Sequence, residues 1–394
     1  MLASTFLGRR LVGRLPTRCV GRRWISSGQL TVERQGDNSL FDSRPPQEEL
    51  QFGTTLSDHM LVVEFENGKW SVPKIVPQGN LSLSPAASCL HYGLQCFEGM
   101  KAYKALTDNS LRLFRPDMNM KRLQNSMKRL SMPGADFDTR ALTECIAELV
   151  RVDERWIPQG EGYSLYLRPT VIATHPFLGL AAPTSLLLYV ITSPVGPYYK
   201  TGFQPVKLTA DTHYVRAWPG GTGDAKVGGN YAPTMKPQAM AVDQGYSQVL
   251  WLFGPNDEIT EVGAMNVFFY IINKETQRPE LITAPLDRGD ILPGVTRDSI
   301  LHLARNWNDL DIEVSERWLT MGELQQAAQD GRLLEAFGAG TAAVVTPISG
   351  IQYKGEDIDI PATGKLTQRI WNEITSIQYG TMEGPHGWSV NISK

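Results

Sequence analysis

The sequence predicts an α+β protein of two domains, each a mixed sheet packed with helices. Three observations carry that reading. At 394 residues the chain is longer than one small hydrophobic core organises. Strand-like apolar runs and amphipathic helical stretches both recur, but without the alternating strand–helix rhythm of a doubly wound parallel sheet. Near the middle, SPVGPYYKTGFQP concentrates Pro and Gly and reads as an interdomain linker over residues 194–205. The boundaries that follow are a small N-terminal domain at 51–193 and a larger C-terminal one at 206–394.

The elements follow in order. Residues 1–30 contain Arg9, Arg10, Arg14, Arg18, Arg22 and Arg23 interleaved with Leu, Val, Phe and Trp, and no acid precedes Glu33. An arginine-rich, acid-free amphipathic leader reads as a cleaved mitochondrial import signal, with a basic nucleic-acid arm as the alternative. Residues 31–50 are polar and contain proline, as a flexible lead-in would be. HMLVVEFENGKWSVPKIVP reads as two strands about an Asn67-Gly68 turn. Met120, Leu123, Met127 and Leu130 recur at helical spacing until Pro133 stops them, and Leu142, Cys145, Ile146, Leu149 and Val150 form a second buried stripe. YSLYLRP and SLLLYVITS are strands. In the first, Leu165 and Leu167 face one side, and Ser164, Tyr166 and Arg168 face the other. Beyond the linker, VKLTAD, SQVLWLF, AMNVFFYII and ELIT continue the strand pattern, while TRDSILHLARNW and LTQRIWNEITSIQ are amphipathic helices.

Composition excludes several function classes. Taking the six leader arginines from the 38 Lys and Arg leaves 32 against 41 Asp and Glu, too acidic a body for non-specific nucleic-acid binding. No apolar run approaches the ~20 residues a membrane-spanning helix needs. Cys89, Cys96 and Cys145 lack metal-ligand spacing, and the histidines are scattered, so neither a metal site nor a disulfide framework is expected. All three cysteines are expected to be buried.

The chemistry centres on GDAKVGGNYAPT, where Lys226 is followed by Gly228, Gly229, Asn230 and Tyr231. Most lysines are solvated. A lysine that holds a bulky planar ligand against close backbone is one that would need such neighbours. A lysine amine forms a Schiff base with a carbonyl cofactor, most commonly pyridoxal phosphate. That cofactor makes three further demands: an acid for its ring nitrogen, donors for its phosphate, and a partner for its ring oxygen. Glu261, placed between a turn and a strand and followed by Gly263, supplies the first, because an adjacent carboxylate favours the pyridinium. Pro293-Gly294 precedes a helix, so the first-turn N–H groups of Val295 and Thr296 suit a phosphate. Gly338, Gly340 and Thr341 offer another Gly-rich turn, and Tyr231 can meet the ring oxygen. Each alone is weak, since a lone Glu before a strand is usually solvated. Their order and joint presence carry the reading.

At these residues the sequence resembles a family. Glu261, Gly263, Asn266, Val267, Phe268, then Leu281-Ile282-Thr283, then Leu292 to Arg297, resemble the class IV aminotransferase signature. HYGLQCFEGMKAY, LFRPDMNMKRL, YLRP, KVGGNYAPT and FGAGTAAVV resemble the branched-chain amino-acid aminotransferases more closely, in their eukaryotic mitochondrial form, over roughly residues 50 to 380. The resemblance implies the two-domain fold-type IV architecture with pyridoxal 5'-phosphate at the domain interface, a homodimer, and transamination of L-leucine, L-isoleucine and L-valine with 2-oxoglutarate. It makes Lys226 the Schiff-base lysine and proton carrier, Glu261 the ring-nitrogen acid, Tyr231 the ring-oxygen phenol and Arg122 the phosphate arginine, with Val295, Thr296 and Thr341 as further phosphate contacts. It gives the substrate pocket to Tyr92, Phe97, Tyr166 and Arg168, and the substrate carboxylate to the turn at Thr341-Ala342. The rivals are a D-amino-acid aminotransferase or aminodeoxychorismate lyase of the same fold, and, more distantly, a non-catalytic binding protein. Two departures stand out. Ala264 replaces a threonine of some relatives, and Ala343 and Thr346 stand where animal mitochondrial members carry a Cys-x-x-Cys, which leaves thiol regulation there without sulfur.

Overall fold

The computed structural model describes residues 25–36, 39–197, 204–361 and 364–393, and its strands form two sheets. The first sheet has ten strands, centred on the antiparallel pair Ser164–Ala173 and Leu186–Val195, which stay in register along their whole length. The second has nine strands between Val206 and Asp359. It is mixed: Val206–Asp211 runs parallel to both its neighbours, Gln248–Phe253 and Val344–Tyr353, while Met265–Ile272 pairs antiparallel on both sides. The architecture is the α+β class expected. The leader through Trp24 and linker residues 198–203 lie outside the described residues.

Local chemistry explains the elements. Asn67 and Gly68 take φ of 52° and 78°, the two left-handed residues a tight hairpin turn requires, and Phe65 faces Trp70 across it. Pro73, which has no N–H, falls where the returning strand breaks between Lys69–Trp70 and Lys74–Pro77. The helix Pro116–Arg129 buries Met120, Leu123 and Met127, while Leu130 falls at its C-cap. In Thr139–Val152 the predicted stripe is buried and the Asp138 side chain caps the N–H groups of Arg140 and Ala141. Both helices pack on the first sheet in one core with Leu61, Leu165, Leu167 and Leu188.

Several expectations need correction. Residues 31–50, read as a flexible lead-in, are pinned to the first sheet. Thr31–Val32 pairs with Lys74–Ile75, and the Gln35 N–H donates to His59 Nε2 at 2.8 Å. The His59 ring is in turn held by Asp153 at 2.6 Å. Ile25, assigned to the leader, is buried in the first core. The last strand, Ser389–Asn391, returns to the first sheet beside Leu111–Phe114 and so leaves the C-terminal unit. Cys96 and Cys145 are buried, but Cys89 is only half-buried. Burial raises all three thiols, Cys145 to about 12. A third core draws Tyr103 and Phe114 from the first unit together with Phe268, Val295, Phe337 and Ile370 from the second, so the two sheets share apolar packing.

The lead-in hangs on one buried carboxylate. Asp58 accepts from the Leu40 amide at 2.7 Å and Trp156 Nε1 at 2.8 Å, and also meets Arg155. Burial alone would raise its pKa, but the hydrogen bonds from Trp156, Arg155 and Leu40 outweigh it and hold the carboxyl below its usual value. That contribution is therefore present above the unfolded value of about 4 and is lost as pH falls through the lower folded value. Asp58→Ala is expected to cost about 2 kcal/mol in urea unfolding and to speed hydrogen exchange at Leu40. Slow exchange at Leu40 in the variant would show that the segment is held by other contacts.

Candidate active site

The lysine loop is placed by the first sheet. Cys96 makes an isolated antiparallel bridge with Val227, and the Phe97 N–H donates to the Lys226 carbonyl at 3.0 Å. The Lys226 N–H donates to Ser126 Oγ at 2.8 Å, on the Pro116–Arg129 helix. In extended chain, neighbouring side chains face opposite ways. Ala225 and Val227 are buried in the first core, which turns Lys226 outward from it. Its Nζ lies 3.1 Å from Tyr231 Oη and 4.9 Å over the Phe97 ring. Asn230 closes the loop, donating to the carbonyls of Thr222 at 2.7 Å and Ala225 at 2.8 Å. A Cβ at Gly228 would sit 2.5 Å from Gln95 Nε2, so that side chain would have to shift.

Around that amine lies an aromatic and cationic wall. Phe97 and Tyr231 have ring centroids 5.2 Å apart, and the Arg168 guanidinium sits 4.9 Å over Phe97 while donating to Tyr166 Oη at 3.1 Å. Phe52, which sequence reasoning left out, meets Tyr166 edge-on at 4.7 Å. Tyr92 does not join this wall within the chain. It is exposed, at the end of the short helix Ser88–Tyr92, and its hydroxyl donates to the Leu178 carbonyl.

Glu261 is not at a strand entrance but inside the strand Glu258–Val262, opposite Asn266, and is 2% exposed. The turn that follows has Gly263 at φ 51°, and the space beside it holds the Gln248 side chain. Glu261 Oε1 accepts from Asn266 Nδ2 at 2.9 Å and from the Leu292 amide at 3.3 Å. Arg216 Nε lies 2.6 Å from Oε2 as an ion partner but off the line a hydrogen bond needs, so Oε2 is buried without a hydrogen-bond donor. Burial pushes the Glu261 pKa up to about 7, against the downward pull of Arg216, the Leu292 amide and Lys226; Asp290 adds to the rise.

Val295 and Thr296 open the helix Val295–Arg305, whose N-cap, Gly294, offers no side chain to its first turn. Thr341, in the turn joining Leu333–Gly340 to Val344–Tyr353, lines one small pocket with Val295, Thr296, Gly99 and Asn119. Gly338 and Gly340, read as part of that turn, lie in the strand before it and make room for Met265. Arg122 is buried, with Nε and Nη2 each 2.8 Å from Glu98 and Nη1 2.9 Å from the Pro293 carbonyl, at the loop leading into Val295. Ala342 presents its carbonyl to Lys101 Nζ at 2.7 Å.

The structure thus brings together Lys226, Tyr231, Phe97, Tyr166 and Arg168; a second set, Val295, Thr296 and Thr341, shares the small pocket. Sequence reasoning missed Glu98, Asn119, Lys101 and Arg216. The first three lie within HYGLQCFEGMKAY and LFRPDMNMKRL, where polar groups set among apolar residues, as in CFEGMKAY, were the available signal. Nothing local marks Arg216. The donor set fits pyridoxal phosphate on its own terms. Oε2 of Glu261 lacks a donor that a ring N–H would provide, and an uncapped helix start suits a phosphate.

Comparison with known proteins agrees. The model of the family "Amino-transferase class IV" matches residues 95–351, more than half of the chain. A "Branched-chain-amino-acid aminotransferase" of Monosiga brevicollis is 53% identical over 374 residues, covering 94% of this chain and 93% of that protein. The mitochondrial enzyme of that name from Saccharomyces cerevisiae is 50% identical over 359 residues, covering 89% and 90%. Among solved structures, the branched-chain amino acid aminotransferase of Escherichia coli superposes with a TM-score of 0.69 at 26% identity, over 85% of this chain and 99% of that one. An amine held by a phenol, a buried acid lacking one donor and an uncapped helix start therefore stand where a specific signature also stands, and the chain belongs to the class IV aminotransferases.

Proposed function

We propose that this protein catalyses reversible amino transfer between L-leucine, L-isoleucine or L-valine and 2-oxoglutarate, with pyridoxal 5'-phosphate as cofactor. The observation that carries it is the Lys226 amine, 3.1 Å from Tyr231 Oη and beside the aromatic wall, in a chain sharing about half its residues with relatives bearing that name. When bound, the cofactor supplies a carbonyl carbon that accepts the amino group and a ring that takes up the electron pair released at Cα.

The chain's own residues do the rest. Lys226 Nζ takes the proton from the substrate Cα and returns it in the reverse direction, with Tyr231 orienting the amine and the Phe97 face stabilising its cationic form. Ionised Glu261 keeps the ring nitrogen protonated. Arg216 is a positioning residue that holds Glu261 ionised against burial. Val295, Thr296, Thr341 and Arg122 hold the phosphate, with Glu98 fixing the orientation of the Arg122 fork. Phe97, Tyr166 and Phe52 exclude water and receive the aliphatic side chain, and Arg168 with the Tyr166 hydroxyl receives the distal carboxylate of glutamate. The turn at Thr341-Ala342 receives the α-carboxylate.

Two finer readings belong here. A homodimer is supported by Phe177, Leu178 and Leu180, an apolar loop whose last residue is 78% exposed, lying against exposed Tyr92. A second copy covering this loop brings Tyr92 to the neighbouring site. Import into mitochondria is supported by the arginine-rich leader.

Lys226→Ala is expected to lower turnover by more than about a hundredfold, measured over a panel of L- and D-amino acids; a variant retaining a tenth of the wild-type rate would return the search to another lysine. A panel preference for D-amino acids would reassign the substrate. Glu261 must be ionised, so activity falls as pH drops through its pKa. Arg216→Met removes the charge that lowers that pKa and should move the acid limb of the kcat profile up by about one pH unit or more, with Arg216→Lys restoring it in part. An identical profile in Arg216→Met excludes the positioning role. For the dimer, Leu178→Glu with Leu180→Glu should sediment as a monomer of much reduced activity, and a fully active monomer would overturn the shared site.

A further inference from the structure

The run from Gly289 to Gly294 reaches the lysine loop, Glu261 and the phosphate helix in turn. The Gly289 carbonyl accepts from the Asp224 N–H at 3.1 Å, just before Lys226. The Asp290 carbonyl accepts from Arg216 Nη1 at 3.3 Å, the Leu292 N–H donates to Glu261 Oε1 at 3.3 Å, and the Pro293 carbonyl accepts from Arg122 at 2.9 Å. Gly294 is then the N-cap of the helix that opens with Val295 and Thr296. The contact with the lysine loop is close: a Cβ at Gly223 would lie 2.6 Å from the Asp290 carbonyl oxygen. Yet the run belongs to no helix or strand, so no ladder of its own fixes these backbone groups.

Side chains hold it instead. The Arg288 guanidinium lies 3.3 Å over the Trp318 ring, meets Glu258 through Nη1, and places Nη2 2.9 Å from Asp290 Oδ2. Glu258 opens the strand that carries Glu261, so Arg288 ties the run to that strand. Asp290 is 1% exposed and its carboxylate accepts no hydrogen bond, so Arg288 is what answers its charge. We propose that Arg288 is a positioning residue for the amine transfer. Held between Glu258 and Asp290, it keeps the run where the Asp290 carbonyl steadies Arg216 and the Leu292 N–H meets Glu261. The role assigned to Glu261 rests on the amine-transfer reading; the tie itself does not. The charged groups acting on Glu261 are Arg216 and Lys226, which lower its pKa together with the Leu292 N–H, and Asp290, which raises it. Releasing the run loosens Arg216 and Leu292 and leaves Asp290 unanswered. Each of these changes raises the Glu261 pKa.

The test uses Arg288→Met in the holoenzyme with two measurements. Hydrogen exchange at the Leu292 and Asp224 amides should speed by about tenfold or more, whether or not the protein turns over. The acid limb of the kcat profile should move up by about half a pH unit or more, with Arg288→Lys restoring both in part. A merely structural arginine would scale kcat down at every pH and leave the limb in place. Glu258→Gln cuts the same tie at its far end with Asp290 still paired, and it keeps the test decisive if Arg288→Met does not fold. Wild-type exchange at Leu292 in the folded variants overturns the proposal, as does an unmoved acid limb. A wild-type protein that transfers no amino group overturns the functional reading instead, while fast exchange at Leu292 in Arg288→Met still supports the tie.

Discussion

Residues 225–227 of the second unit are gripped by the first, and the site depends on that grip. Ala225 and Val227 are buried in the first core, Val227 bridges Cys96, and the Lys226 backbone is held at its N–H by Ser126 and at its carbonyl by Phe97. The alternation of an extended chain then does the rest: with both neighbours turned into one core, the lysine side chain has one direction left. Phe97 and Tyr231 meet the amine because the same hydrogen bonds that fix the loop also fix them. A catalytic group held this way is oriented by packing from both units and needs no rigid loop of its own.

Around that amine the fold maintains charges that burial disfavours. Glu261 is surrounded by strands and answered by Arg216 at 2.6 Å; Arg122 is answered by Glu98 at 2.8 Å on both edges. Such pairs contribute little net stability, since desolvation offsets most of the attraction, but removing one partner strands a buried charge. They are better understood as devices for orientation. Glu98 fixes the plane of the Arg122 fork, and Asn266 fixes Glu261 Oε1, which leaves Oε2 as the face without a donor. Gly294 is small because Asn266 approaches it: a Cβ there would lie 2.1 Å from Asn266 Oδ1.

Much of this was legible in the chain because it is local. The Asn67-Gly68 hairpin, the stripes of the two helices and the opposed faces of YLRP each follow from backbone preferences and side-chain period within a few residues. The signature around Glu261 and Val295 named the chemistry, because a lysine, a phenol, an acid and a helix start in that order are rarely assembled by chance. The errors are also instructive. Residues 31–50 look flexible because their composition is polar, yet their polar groups are consumed by His59 and Asp58, which only the folded first unit presents. Glu261 looked like a residue at a strand entrance because burial cannot be read from one acid's neighbours.

The sequence by itself determined the element types, the α+β class and the candidate residues, since these rest on periodicity, turn chemistry and motif order. Only the tertiary structure decided which of those residues meet. It separated Tyr92 from the wall, because the short helix carrying it packs against the Leu178 loop. It brought in Arg216, Glu98 and Lys101, whose partners lie dozens to hundreds of residues away in the chain, that of Lys101 in the other unit. The physical reason is that an ion pair or a hydrogen bond acts at about 3 Å in space whatever the separation in sequence, and only the packing of the two sheets sets those distances.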